Sequence, residues 1–336
     1  MHKRYFIRVL LILIGAFLVG CETDFETEYG GSTLPVVYSL IDPQDSIHYL
    51  RLSRTFKGGG NAFLSAADPD SIAFEDAVVK IEFYTDEGWK YNEFLFEPVI
   101  PFDKDEGIFS SLGYQLFKLE RDLFDRFIPG THLLLNLNIP GYQLISSSFV
   151  EHLRPPRITA PRKGLMTYIS LYPPNPIKVH FEDYEHFTNY ELHVRLNYTN
   201  VFIDEHEESA FVEKKYLRKS SNRNPDRISE IIVTIAGDNF FAAVQQEIPN
   251  DPEVNYRRVG VIDFWVFTGS PVFNEYQELN KYASDHAGSP VTNIVNGNGI
   301  FALKYHDVRG GYRLDIISKD SLVNGRFTKG LRFSKW

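Results

Sequence analysis

The stretch His180-Phe181-Glu182-Asp183-Tyr184-Glu185-His186 places two imidazoles and three carboxylates within seven residues, and His193 follows shortly after. Oxygen and imidazole donors at that spacing could hold a divalent cation, with His180, Asp183 and His186 as the weak metal candidates. Neither a His-Glu-x-x-His helix nor an EF-hand loop is present, and a charged loop between strands is the competing reading. Asp204-Glu205-His206-Glu207-Glu208 poses the same choice and reads as a charged loop. Gly297-Asn298-Gly299 suggests a phosphate cradle, but the third glycine of a dinucleotide loop is missing. Strand-like Ile300-Phe301-Ala302-Leu303 follows where a helix would be needed, so a tight turn using glycine's tolerance of positive φ is expected. Nucleophilic catalysis has little support, because no Gly-x-Ser-x-Gly elbow occurs. A glycosidase carboxylate pair would have to be recognised in space, among 44 acidic residues. No catalytic residues and no cofactor are assigned.

The most specific chemistry lies at the start. His2, Lys3, Arg4 and Arg8 form a basic end, followed by the apolar Leu10–Val19 and then Gly20-Cys21. This is the layout of an export signal over residues 1–20. The uncharged run is about 13 residues, too short for the roughly 20 apolar residues of a membrane-spanning helix. Leu18-Val19-Gly20-Cys21 looks like a bacterial lipobox, in which cleavage before the cysteine leaves a thiolate to be lipidated. Cys21 is the single cysteine of the 336 residues, so no disulfide framework exists and lipid attachment at Cys21 is expected. Acyl chains would then anchor the protein to outer-membrane lipid at about 0.8 kcal/mol per buried CH₂. Glu22, Asp24 and Glu26 follow directly and resemble the acidic export signal of Bacteroidota surface lipoproteins.

Whole-chain electrostatics agree with a lipid anchor rather than a basic patch. The net charge is −9, and residues 1–20 carry three positive and no negative side chains, leaving −12 on the remainder. Such a chain is not a nucleic-acid binder by bulk charge, and an anionic membrane surface would repel it.

The elements around these residues read as strands. Residues 21–33 are an acidic tether. From Leu34 the pattern alternates through Pro35–Ile41, Ser46–Phe56, Val78–Tyr84 and Trp89–Phe96, with Val79, Ile81 and Phe83 expected inward. Further strands are expected at Ile108–Phe117, His132–Asn138 and Tyr142–Val150. Residues 34–152 thus read as an N-terminal β-sandwich domain. Residues 153–164 hold Pro155, Pro156 and Pro161 among arginines, an extended semi-rigid linker.

Residues 165–336 read as a second β-rich domain with strands at Met166–Leu171, Ile177–Phe181, Tyr190–Tyr198, Ile231–Ile235, Tyr256–Thr268 and Tyr312–Ile317. Leu192, Val194 and Leu196 should share one face. Asp238 is expected to cap a helix from Asn239 to about Glu247, with a short second helix at Glu275–Ser284. The fold class expected is mainly β: two β-sandwich-like domains of the immunoglobulin or transthyretin kind, with one or two short helices in the C-terminal half. Trp265, inside an apolar strand, is expected in the core, and Trp89, after a turn, in the rim or core with exposure as the alternative.

One resemblance joins several of these stretches: the lipobox, Val36–Asp42 with Tyr49–Phe56, Gly107-Ile108-Phe109, and Thr292–Phe301 with its Asn-Ile-Val-Asn-Gly-Asn-Gly-Ile-Phe. In that order the chain resembles uncharacterised Bacteroidota outer-membrane lipoproteins, some encoded beside TonB-dependent transporters. The resemblance implies an outer-membrane location and a TonB-dependent transporter as partner, while the acidic Glu22, Asp24 and Glu26 point to the cell exterior, with a solvated tether on a periplasm-facing protein as the alternative. It supplies no ligand and no catalytic residues. The reading that follows is a non-catalytic, lipid-anchored surface binding or accessory protein; an envelope structural or assembly factor stands second, and a surface hydrolase third.

Overall fold

The computed structural model describes residues 33–55, 73–74, 76–99, 115–128, 130–162, 168–172, 176–184, 186–220, 227–280 and 292–334. Cys21, Glu22, Asp24, Glu26, Gly107–Phe109, Glu185 and Trp336 lie outside them. Among the described residues the chain is mainly β, with eighteen strands and three α-helices. It is β-sandwich-like, and all three helices fall in the C-terminal half, one more than the sequence marks.

Six strands make most of the N-terminal half: β1 (Pro35–Ile41), β2 (Ile47–Arg54), β3 (Val78–Tyr84), β4 (Lys90–Val99), β5 (Gln115–Glu120) and β6 (His132–Asn138). The short β7 (Ile145–Ser147) and β8 (Val150–Glu151) occupy the stretch expected to be one continuous strand. Strand β4 belongs to two ladders: its first part pairs with β3, whereas Glu97, Pro98 and Val99 pair with β5. A strand that changes partners turns a corner, which is how one sheet is laid over another. The inward residues follow period two: Val79, Ile81 and Phe83 are fully buried, as are Leu50, Leu52, Leu133, Leu135 and Leu137, all in one continuous core.

The second half adds β9 (Ile158–Ala160), β10 (Tyr168–Ile169), β11 (Ile177–Asp183), β12 (Asn189–Phe202), β13 (Glu207–Lys219) and β14 (Ser229–Ile235). Helix α1 (Gly237–Glu247), β15 (Val254–Gly269), α2 (Pro271–Asn280) and β16 (Ile294–Val295) come next. The chain ends with β17 (Asn298–Leu314), α3 (Ile316–Asn324) and β18 (Phe333–Ser334). The large sheet runs β13-β12-β15-β17-β1-β2-β5-β4-β3-β6-β7-β16, and a three-stranded sheet runs β14-β11-β9. The two halves share a ladder, because β1 pairs in parallel with β17 from Val36–Asn298 to Ile41–Leu303. Segment 153–162 is extended, as its prolines require, and lies against β17: Leu153 N donates to Tyr305 Oη, Ile158 N to Asp307, and Tyr312 Oη to the Pro161 carbonyl.

The inner face of β12 is the alternation seen in the sequence. Leu192, Val194 and Leu196 are fully buried, each contributing about 1.5–3 kcal/mol of burial. They share the core with Val179 and Phe181 of β11, Val233 of β14, and Phe240, Phe241 and Val244 of α1. The opposite face of β12 looks outward, and it holds the candidate site.

Four expectations are corrected. Asp238 does not cap α1: Ala236 is the N-cap residue without a side-chain bond, and Asp238 sits in the first turn, paired with Arg326. The second helix begins four residues early, at Pro271, a position where proline's missing N–H costs nothing. The final strand expected through Ile317 stops at Leu314, and Asp315 caps α3 by accepting from Ser318 N. The expected charged loop 204–208 ends at His206, because Glu207 and Glu208 already belong to β13.

Candidate binding face

On the outer side of β12 the odd-numbered residues Glu191, His193, Arg195 and Asn197 stand in a row. Register adds neighbours from three more strands. His193 lies opposite Lys215 and Trp265, Arg195 opposite Glu213 and Asp263, and Glu191 opposite Leu217 and Phe267. Phe267 in turn lies opposite His306 of β17. Opposed residues on one face come within side-chain reach, so four strands build one surface.

The polar groups of that surface are tied to one another. His193 is 8% exposed and clamped between two carboxylates: Nε2 is 3.0 Å from Glu191 Oε2, and Nδ1 is 2.9 Å from Glu213 Oε1. The other Glu213 oxygen accepts from Arg195 Nη2 at 3.0 Å. The Arg195 guanidinium lies 4.1 Å from the Phe211 ring centre and 5.4 Å from that of Trp265, a cation on two aromatic faces. Trp265 and Phe267 are stacked at 6.0 Å, and both flank His306. Trp265 is therefore half-buried on the outer face and not in the core: an aromatic in a long alternating strand can face either way.

His306 closes the row. Its Nδ1 is 2.7 Å from Asp42 Oδ2, and Asp42, 1% exposed, also accepts from Gln44 N. The hydrogen bond to Asp42 holds the His306 imidazole above its usual pKa, against the opposing effect of burial. Asp42, Asp45 and His306 have ligand atoms within 4.8 Å of one another, the cation-sized grouping found among the described residues. Lys304, 3.6 Å from Asp45, already supplies positive charge there. The arrangement reads as a pin between the end of β1 and β17.

At the end of this face, where β12, β13 and β15 meet α2, lies a cleft of about 690 Å³. Leu217, Phe267, Phe273 and Tyr276 give it apolar walls, and Glu191, Arg218, Lys219 and Lys304 also line it. Gly269 lets α2 start close to the sheet, since a Cβ there would meet the Phe273 ring at 2.1 Å. Asn274 Nδ2 donates to the Gly269 carbonyl and Leu303 N to Ser270 Oγ, fixing the helix over β15 and β17.

The residues expected to hold a metal are elsewhere and are separately engaged. His180 and Asp183 lie on strand β11, not in a loop. His180 Nδ1 is 2.9 Å from Glu230 Oε2, and the fully buried Asp183 accepts from Ser229 Oγ at 3.1 Å. His186 is exposed in the turn that follows. Glu182 is bound by Arg157 and Tyr184. The turn expected at Gly297-Asn298-Gly299 falls at Asn296-Gly297, with Asn296 at φ +59°, and Asn298 and Gly299 already pair with β1 as the start of β17. Gly299 has φ +106°, and a Cβ there would stand 1.9 Å from the Val37 carbonyl oxygen, so parallel pairing with β1 also demands the glycine. Trp89 is 74% exposed.

No family model matches the chain, and no curated protein does. Among solved structures it is similar to trypsin-activated α2-macroglobulin of Escherichia coli, with 11% identity over 71% of this chain and 14% of that one, at a TM-score of 0.20. It is also similar to the calcium-binding domain CBD12 of CALX1.1, with 9% identity over 83% of this chain and 99% of that one, at a TM-score of 0.16. Likeness at those scores carries no argument about fold or function here.

Proposed function

We propose that the protein is a non-catalytic binding or accessory protein, held by acyl chains on Cys21 at the outer face of the outer membrane and working beside a TonB-dependent transporter. The observation that supports binding is the cleft of about 690 Å³ at the end of the aromatic row. Pockets of this size with aromatic walls and a few polar groups in the lining suit a small molecule with a flat apolar face. The ionisable groups nearby are engaged with one another: His193 by two glutamates, Glu213 by Arg195, His306 by Asp42. Such pairings fix the shape of the face around the cleft. Location rests on the Cys21 motif and on Glu22, Asp24 and Glu26, and the transporter partner on the resemblance to Bacteroidota outer-membrane lipoproteins.

The test is purification of the tagged full chain from its native membrane in mild detergent. Wild type is compared with Cys21→Ala and with the cleft variant Phe267→Ala, and co-purifying proteins are read by mass spectrometry. The expected result is a stoichiometric transporter with wild type, loss of membrane retention with Cys21→Ala, and reduced co-purification or ligand binding with Phe267→Ala. Retention of Cys21→Ala in the membrane would overturn the anchor, and recovery of wild type alone would overturn the accessory role.

A further inference from the structure

Strand β13 ends the large sheet. Its 13 residues pair with β12 without interruption, from Lys219–Asn189 to Glu207–Val201, with no register shift. Among the described residues its backbone hydrogen-bonds to no other strand, so its far edge presents open N–H and C=O groups. Edge strands are normally blunted by proline, by a bulge or by short length. Residues 207–219 contain no Pro and no Gly, and the strand is long and regular. Its protection is its lysines and helix α1, which packs beside it. On its outer face the sequence runs Phe211, Glu213, Lys215, Leu217, with Phe211 55% and Leu217 63% exposed.

That order is self-complementary. We propose that the β13 edge pairs antiparallel with the β13 edge of a second copy of this chain, on a two-fold axis at Lys214, giving one sheet continuous through both molecules. In this register Phe211 faces Leu217 of the second copy and Glu213 faces its Lys215, and symmetry repeats both pairs. On the other face Val212 meets Tyr216, and Ala210 meets Arg218. Apolar pairs and opposite charges directly across a ladder are the stabilising kind. A two-fold interface must be self-complementary in this way, residue i to j and j to i. The Lys214 pair on the axis is the one like-charge contact, and it weakens the dimer without changing its register.

Cysteine cross-linking of the full chain in detergent reads the register directly, with the native chain, whose one cysteine is Cys21, as background. Residues opposed in antiparallel strands have Cα atoms about 4.5–5.5 Å apart, within the roughly 4.4–6.8 Å a disulfide spans. Lys214→Cys should therefore form a covalent dimer under mild oxidation. Glu208→Cys, separated from its symmetry mate by twelve residues or about 40 Å, should not. Phe211→Cys and Leu217→Cys should each stay monomeric alone and link to each other when mixed, which tests the register even if Lys214→Cys fails to fold. Lys215→Glu, which sets like charges opposite one another twice, should lower the Lys214→Cys dimer yield about tenfold. Cross-linking of Glu208→Cys as readily as Lys214→Cys, self-linking of Phe211→Cys, or no linking in any arm above the native background would overturn the proposal.

Discussion

Replacing His152 with Phe should flatten the acid side of the stability curve. The His152 ring lies 4.0 Å from the Phe127 ring and 5.7 Å from that of Tyr305, and its Nδ1 is buried with no hydrogen-bond partner among the described residues. Burial pushes its pKa from 6.5 down to about 4. The folded-state pKa is depressed, so the unfolded chain takes up the proton first. The stabilisation is complete above pH 6.5 and is lost as pH falls toward about 4. A gap of about 2.5 pK units corresponds to about 3 kcal/mol in full, of which about 2 kcal/mol is gone by pH 5. With a urea m-value of about 3 kcal/mol/M, that moves the midpoint by about 0.7 M between pH 7.5 and pH 5. The assay is urea unfolding followed by tryptophan fluorescence across that range, for wild type, His152→Phe and His152→Gln. Wild type should lose about 2 kcal/mol more than either variant. A uniform offset from altered packing does not matter, because the reasoning concerns slope. Parallel curves for all three proteins would refute it.

His306 should show the opposite sign. Its pKa is raised by Asp42, so the stabilisation is present below pH 6.5 and is lost as pH rises through the folded-state value; Asp42→Asn should remove that dependence and lower the His306 pKa seen by NMR titration. Gly299→Ala should cost more than about 3 kcal/mol, since it combines a positive φ with a collision against the Val37 carbonyl, and a thermal melt would show it. Glu213→Gln should cost about 1–3 kcal/mol in chemical denaturation, because His193 and Arg195 lose the carboxylate they share. Trp89→Ala should stay within about 0.5 kcal/mol of wild type, as expected where a large side chain is solvent-exposed.

The strands legible in the sequence are those with one face in the core. Val79, Ile81 and Phe83, and Leu192, Val194 and Leu196, are all fully buried because period two leaves them no other arrangement. Strand β13 was not legible for the same reason turned around. As an edge strand it buries Val212 and little else, so Glu-Glu-Ser-Ala-Phe-Val-Glu-Lys-Lys-Tyr-Leu-Arg-Lys shows charge where an apolar stripe would be. Helix α3 was hidden by its apolar start, Ile316-Ile317, which reads as the end of a strand although both residues are exposed. Asp315, an N-cap residue type immediately before the helix, was the signal available in the sequence.

The candidate face shows what kind of site a single sequence can contain without displaying. Glu191, His193 and Arg195 are legible as one row, since alternate residues of a strand share a face. Glu213, Trp265, Phe267, His306 and Asp42 join them only through register across β13, β15, β17 and the end of β1, over sequence separations of up to 264 residues. The dense cluster that sequence spacing does display, at His180, Asp183 and His186, is divided by that same geometry. Side chains at odd and even positions of β11 point to opposite faces, so His180 turns to Glu230 while Asp183 is buried against Ser229. Proximity along a strand thus disperses ligands as often as it gathers them, whereas register gathers residues from distant parts of the chain. A surface assembled by register also depends on the sheet as a whole: any change that moves β12 against β13 by one residue would turn His193 away from Glu213 and dismantle the row without touching a single one of its side chains.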